Sequence, residues 1–483
     1  MIVKTEKDFI QNYLTDASNY KSENCDAVYF PISSDEVSEI LKNCNKEKTP
    51  VTLSGAGTGL VGGRVPNSGI VISLEKLASI IKIYAVSKTC LTQSGVLLSQ
   101  IQSECRGQNL LYPPDPTEKN CSIGGTIATN ASGARTYKYG PSRNWIRYLK
   151  VILPNGETLE LERGKNLAIG YDLRFQTNEG TKFEIELPKI KLPQVKNATG
   201  YFIQENMDAI DLFIGMEGTL GVITEAVLNL IEHPTDLISG IIFFETFNDA
   251  YNFVSKVKAF SHAQNSLIQA RAIEFFDERA LNFLSRFYPK TPLDKFGIWI
   301  EQEIYEQDKD KLLTLWYEFI EEHNALLDST YFAMNEKDIE EIRDFRHAIS
   351  ARVNEFLVQN DIQKVGTDLA VPDGDFNKLY FFCTDLCKEQ NIDYVGYGHV
   401  GNDHLHLNML PKNQFEFMTA KKLYFEFCKK AVELGGTVSA EHGIGKIKKE
   451  YFNLMFNPEE ISQMYEIKKT LDSNLILGRG NLF

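Results

Sequence analysis

The sequence predicts an α+β chain of two principal domains, and three observations carry that expectation. At 483 residues it is too long for one ordinary core. Its first half interrupts short apolar strands with three loops of small residues. After His233-Pro234 the texture changes to alternating strands and helices, the pattern of an α/β layer packed as a separate domain.

Taken in order, Ser34-Asp35-Glu36 opens an amphipathic run with Val37, Ile40 and Leu41 on one face, a capped helix. Residues 50–53 and 69–74 read as strands, and Ser54-Gly55-Ala56-Gly57-Thr58-Gly59-Leu60 between them as a tight loop. Residues 148–153 and 211–214 read as strands, and 221–230 closes this half. Beyond the boundary near 232, strands over 239–244, 270–276 and 297–304 are each followed by a helix, over 248–260, 279–287 and 309–322. A short glycine-bearing segment, 471–483, ends the chain and is expected to return to the first domain.

Composition excludes some classes. Apolar residues make up 43% and charged residues 24%, so the chain is folded. A net charge of −14 argues against a cationic nucleic-acid surface. Eight cysteines without a CxxC fit reduced, buried thiols. No secretory signal and no apolar run of transmembrane length is visible. The expected location is the cytoplasm, with an organelle matrix and peripheral membrane contact left open.

The small-residue loops suggest a phosphate ligand. A dinucleotide pyrophosphate needs several backbone N–H donors at close range, which bulky side chains would block. The loop 54–60 has that composition, although a glycine-rich turn can simply turn a corner, and no amphipathic helix follows it as in a GxGxxG unit. A second run, Ser122-Ile123-Gly124-Gly125-Thr126-Ile127-Ala128-Thr129-Asn130-Ala131-Ser132-Gly133, is almost all small and can lie against a large flat ligand. Pro113-Pro114-Asp115-Pro116 gives it a stiff, extended entry. A third block, Gly215-Met216-Glu217-Gly218-Thr219-Leu220-Gly221-Val222-Ile223-Thr224, repeats the style.

From about residue 25 to the end, the chain resembles the vanillyl-alcohol-oxidase-type flavoproteins. The resemblance is to the branch of D-lactate dehydrogenase, D-2-hydroxyglutarate dehydrogenase and the flavin subunit of glycolate oxidase. It implies a two-subdomain FAD-binding domain over 1–232, a substrate and metal-binding cap over 233–470, and the terminal segment 471–483. It implies that Ser54, Gly55, Gly57, Thr58 and Gly59, with Ala56 and Leu60, hold the FAD pyrophosphate. Pro114, Asp115, Ser122, Gly124, Gly125, Thr129, Ser132 and Gly133 would line the cofactor, with Glu217, Gly218, Gly221 and Ile223 beyond them. The first histidine is His233, after all three loops, so a histidyl-flavin link is not expected and FAD should be noncovalent.

Four of the eight histidines lie between 399 and 442. They fall in Gly398-His399-Val400-Gly401-Asn402-Asp403-His404-Leu405-His406-Leu407-Asn408 and in Ser439-Ala440-Glu441-His442-Gly443-Ile444-Gly445. On a strand His404 and His406 share a face, and a turn at 401–403 would bring His399 to them. Imidazoles with a carboxylate are common divalent-ion ligands; polar residues at strand ends are the plainer alternative. The resemblance implies metal ligands at His399, His406 and Glu441, a general base at His442 and a substrate contact at Asn408. Relatives carry Asp-Gly-Asn where this chain has Asn402-Asp403-His404, and His404 is not assigned as a ligand. Arg346 with Ser350, and Lys448, match substrate-binding positions, with Arg346 and Lys448 as the cations for a carboxylate. Several relatives place a lysine where Gly366 stands, and Lys364 is two residues earlier.

The implied activity is FAD-dependent oxidation of a D-2-hydroxy acid such as D-lactate to the 2-keto acid. D-2-hydroxyglutarate or glycolate as substrate, a metal-free oxidase of the same fold, and a silent flavin subunit of a complex are the alternatives. The implied metal is zinc, with manganese or iron as alternatives. The electron acceptor would be a quinone, a cytochrome or an electron-transferring flavoprotein rather than NAD, and a homodimer is an admissible assembly.

Overall fold

The computed structural model describes residues 1–483. Its first sheet has the order Ile2–Lys4, Ala27–Phe30, Ile70–Ser73, Val51–Ser54, and the last three strands are parallel. All four residues of Ile70–Ser73 are buried, as a parallel strand covered on both faces requires. The helix Ser34–Glu47 packs Val37, Ile40, Leu41 and Cys44 onto this sheet. Its cap is Ser33, which accepts the Glu36 N–H.

A five-stranded antiparallel sheet follows, ordered Ile80–Tyr84, Thr89–Gln93, Val222–Asn229, Ile146–Ile152, Thr158–Glu162. Two readings of the sequence need correction here. Residues 211–214 are not a strand: they fall in and just after the helix Ala209–Phe213, capped by Asp208, which accepts the Ile210 N–H. A short apolar run buried on all sides has no period by which to tell helix from strand. The second small-residue run opens as a helix, Ile123–Ala128, capped by Ser122.

The second half is built on one eight-stranded antiparallel sheet. Its order is Tyr331–Phe332, Asp236–Phe244, Phe296–Ile304, Ala270–Phe276, Tyr394–Gly398, His404–Met409, Val365–Gly366, with Leu369–Ala370 also paired to His404–Met409. The helices Phe247–His262, Glu278–Leu284 and Lys309–Glu321 follow successive strands. Because Phe296–Ile304 inserts between the two strands before it, the alternation yields antiparallel pairs. No helix is long and apolar enough to cross a membrane.

Charge as well as apolar packing joins the halves. Lys138 Nζ lies 2.6 Å from Glu303 Oε2, and Tyr139 donates to the same oxygen. Arg271 contacts Glu303 at 3.1 Å and Glu301 at 2.6 Å, and Arg343 reaches Glu301 at 3.1 Å. Burial disfavours the Glu301 charge, but Arg271, Arg343 and Arg135 outweigh it and hold its pKa at about 2. The chain end also crosses back: Leu477 pairs with Val51, and Asn481 Nδ2 donates to the carbonyls of Gly63 and Glu217.

Candidate functional site

The three small-residue loops converge through their backbones. Glu217 N donates to Ala128 O at 2.8 Å and Gly215 N to Ile127 O at 3.0 Å, tying the third block to the second. A Cβ on Gly55 would sit 2.4 Å from Ser122 Oγ, so glycine is what lets the first loop approach the second. A Cβ on Gly133 would sit 2.1 Å from Asp115 O, which closes the second run against its proline-rich entry. Asp115 is held by Arg135 at 3.2 Å. Ser54 ends a strand, and the loop after it stays partly exposed through Leu60. Gly124 and Gly125 lie in the short helix, Thr129 closes it by donating to Gly125 O, and Gly221 and Ile223 sit where the third block enters its strand. A cradle of backbone on three sides, with glycine at the closest approaches, suits a dinucleotide.

Beside the second loop stands the histidine cluster. Tyr394–Gly398 leads into His399, a tight turn follows over Val400–Asn402, and Asp403 takes a left-handed φ of 49°. The chain then returns as His404–Met409, so three imidazoles meet. His399 Nδ1 lies 2.6 Å from Glu274 Oε1, and His406 Nδ1 lies 3.0 Å from Thr367 O. Carboxylate and carbonyl oxygens only accept, so both Nδ1 atoms carry the proton and both Nε2 lone pairs face inward. These Nε2 atoms lie 3.2 Å and 3.6 Å from the two oxygens of Glu441. One ligand atom each from His399, His404, His406 and Glu441 falls within 4.8 Å of the others. Inward lone pairs fixed by outer acceptors are what a divalent ion requires.

Lys196 and Ser132 bring the first domain into this cluster. The Lys196 ammonium, 2% exposed, pairs with Glu441 Oε1. Ser132 Oγ donates to the same oxygen at 3.3 Å. Burial opposes the Glu441 charge, but Lys196 and His399 outweigh it and hold the carboxyl well below its usual range. Burial pushes the imidazoles of His404 and His406 down, toward the neutral form that binds ions.

Asp368, fully buried, organises the neighbouring groups. It contacts His442 Nδ1 at 3.2 Å and accepts from Lys448 Nζ at 2.8 Å and Ser439 Oγ at 2.8 Å. The backbone N–H groups of Glu441 and His442 point at it, at 3.1 Å and 3.0 Å. Burial opposes its charge, and His442, Lys448 and His404 overcome that to hold it well below the carboxylate range. His442 therefore has one nitrogen anchored and the other free, with 27% of its side chain exposed.

The cations expected at a substrate carboxylate are largely engaged already. Arg346 directs Nε and Nη2 to Glu274 Oε2, so the two-point grip expected on a substrate is made on a protein carboxylate and Nη1 alone remains. Lys448 is committed to Asp368 and Ser439. Ser350 shares a hydrogen bond with Tyr397. Asn408 Oδ1 is buried without a partner beside Gly366. A Cβ at 366 would lie 3.3 Å from Cε of Lys364, whose side chain occupies that flank. Glu274, Asp368, Thr367 and Lys196 were not singled out from sequence. Glu274 and Lys196 lie in segments with no motif, and Thr367 and Asp368 follow Gly366 in a segment read only for the lysine it lacks.

Glu217 was expected to line the cofactor, yet its carboxylate accepts the N–H of Ile444 at 2.8 Å and of Gly445 at 2.6 Å. It latches the third loop to the segment after His442. Burial raises its pKa to about 7, against those two hydrogen bonds. Glu217→Ala should leave two buried donors unpaired, at about 1–3 kcal/mol each. A clearly lower denaturant midpoint is the expected result, and an unchanged midpoint would remove the latch.

Both halves of the chain match known proteins. The family model for the FAD binding domain matches residues 25–162, and that for the C-terminal domain of FAD linked oxidases matches 234–482. A D-lactate dehydrogenase of Anaerostipes hadrus is 30% identical over 93% of this chain and 88% of its own. A D-2-hydroxyglutarate dehydrogenase of Xanthomonas citri is also 30% identical, over 100% and 94%. Glycolate oxidase subunit GlcD of Bacillus subtilis is 28% identical over 98% and 92%. The structure of an alkyldihydroxyacetonephosphate synthase shares the fold, with a TM-score of 0.70 at 16% identity over 99% of this chain and 82% of that one.

Proposed function

The chain belongs to the FAD-linked oxidases, and from that premise we propose that it is a dehydrogenase converting a D-2-hydroxy monocarboxylate such as D-lactate to the 2-keto acid. The observation that carries this reading is the Ser132–Glu441 hydrogen bond. It sets the loop expected to line the flavin directly against a cluster able to hold a divalent ion.

In this reading His399, His406 and Glu441 hold the ion, zinc before manganese or iron. When bound, the ion supplies Lewis acidity to the substrate hydroxyl and the flavin a hydride acceptor. His442 takes the hydroxyl proton on its free nitrogen, and Asp368 fixes the ring and stabilises the resulting imidazolium. The donor of Arg346 not spent on Glu274, and the ammonium of Lys448 that already serves Asp368, would supply positive charge to the substrate carboxylate, with Asn408 as a further polar contact. Electrons then leave to a quinone, a cytochrome or an electron-transferring flavoprotein.

The monocarboxylate ranks first because two cations already share buried carboxylates, and glycine stands at 366. A second substrate carboxylate would be costly to bury without its own cation. Lys364 is exposed and beside Gly366. Anaerobic bleaching of the flavin by a panel of 2-hydroxy acids of both hands tests the reading. D-lactate and D-2-hydroxybutyrate should bleach fastest, and a clear preference for D-2-hydroxyglutarate or for L-acids would overturn it.

Noncovalent FAD is part of the same proposal. No histidine precedes residue 233, and burial pushes the thiol of Cys121, beside the second loop, up to about 12, far from a reactive thiolate. Acid precipitation should release all the flavin. Yellow colour staying with the pellet would contradict this.

A further inference from the structure

We propose that His404 is a fourth protein ligand of the ion, completing a set of three imidazoles and one carboxylate. This rests on the reading of the cluster as a divalent-ion site. His404 is fully buried, its ring centroid 4.2 Å from that of His406 and 5.2 Å from that of His399. Neither of its nitrogens makes a hydrogen bond. Nε2 is 3.1 Å from Asp368 Oδ1 but off the line of one. His399 and His406 each anchor Nδ1 on an outer acceptor, whereas the buried Nδ1 of His404 has no protein partner and its Nε2 has only the Asp368 carboxylate beside it. An imidazole offers a donor and an acceptor, and buried ones are paired as a rule. An ion in the cluster is the partner that its surroundings lack, and Asp368 is the carboxylate placed to take the second nitrogen, as outer partners of ligating histidines do.

The turn delivers this residue. Lys258 Nζ lies 2.5 Å from Asp403 Oδ2, holding the left-handed residue that swings the strand's first side chain into the cluster. Three nitrogens favour zinc and the later transition metals over manganese or magnesium.

The full-length flavoprotein, stripped with chelator and reloaded with Zn²⁺, is examined by X-ray absorption. Zn²⁺ affinity is measured by chelator competition and set against Mn²⁺. Wild type should show three imidazoles. His404→Asn should show two, with Zn²⁺ bound more than about 100-fold weaker, since losing even an outer partner costs about 10–100-fold. Its preference for Zn²⁺ over Mn²⁺ should narrow. Equal shells and affinities in the two proteins would overturn the proposal and leave His404 as a positioning residue for Asp368. A wild type that takes up neither ion would instead overturn the ion site itself. Flavin content checks folding of the variant. Should it not fold, the wild-type shell decides alone: three imidazoles support the proposal and two refute it.

Discussion

Asp368→Asn should abolish nearly all turnover and weaken the fold at the same time. The amide keeps one acceptor oxygen and turns an NH₂ toward groups that are themselves donors. Lys448, the Ser439 hydroxyl and two backbone N–H groups all point at Asp368. Removing one partner of a buried ion pair costs about 3–5 kcal/mol. Losing the orienting carboxylate behind the base should cost kcat about 10²–10⁴-fold, the usual worth of general base catalysis. His442→Ala separates the two effects. It should lose rate by the same factor, yet keep its ion and most of its stability, because that ring is partly exposed. An Asp368→Asn enzyme within tenfold of wild type in kcat would refute this role.

Acid should act on the same centre in two stages. The folded pKa values of His404 and His406 lie below the ordinary imidazole value. The unfolded chain therefore binds more protons below about pH 6.5, and stability begins to fall there. Asp368 and Glu441 are also depressed. Their contribution is complete above the unfolded carboxylate range, about pH 4, and is lost as pH drops toward their lower folded values.

The second large effect is expected at the ion ligands. His399→Ala or His406→Ala should empty the site and leave FAD in place, since neither ring touches the three loops' backbone contacts described above. The loss in kcat/KM should be about 10³-fold or more, matching the several kcal/mol that a Lewis acid contributes. Metal analysis and the flavin spectrum of the same sample check both halves. A wild type retaining full activity in strong chelator would refute the ion's role.

What could be read from residues alone divides along lines of distance. The loops at 54–60, 122–133 and 215–224 were visible because runs of small residues cannot fill a core. The imidazoles at 399–406 were visible because they sit within one turn of chain. Their supports were not. Glu274 reaches His399 across 125 positions, and Lys196 reaches Glu441 across 245. No period or spacing encodes such pairings. Arg346 and Lys448 show a different limit. Their charge was legible, but a sequence does not reveal that a buried carboxylate has already claimed it. His404 stands out in the sequence as an extra imidazole, while the lack of a partner for its buried Nδ1 exists only in three dimensions.

The ion-pair ladder from Lys138 and Tyr139 through Glu303, Arg271 and Glu301 to Arg343 bears on how such a protein can be recombined. Lys138 and Tyr139 are its rungs on the flavin half and the rest belong to the cap, with Glu303, Arg271 and Glu301 closed from water. A chimera joining this flavin half to the cap of a distant relative would leave Lys138 and Tyr139 without the carboxylate they share, and Glu303 with Arg271 alone. Grafting new substrate specificity therefore calls for exchanging the cap together with residues 135–139, so that the seam travels as one unit.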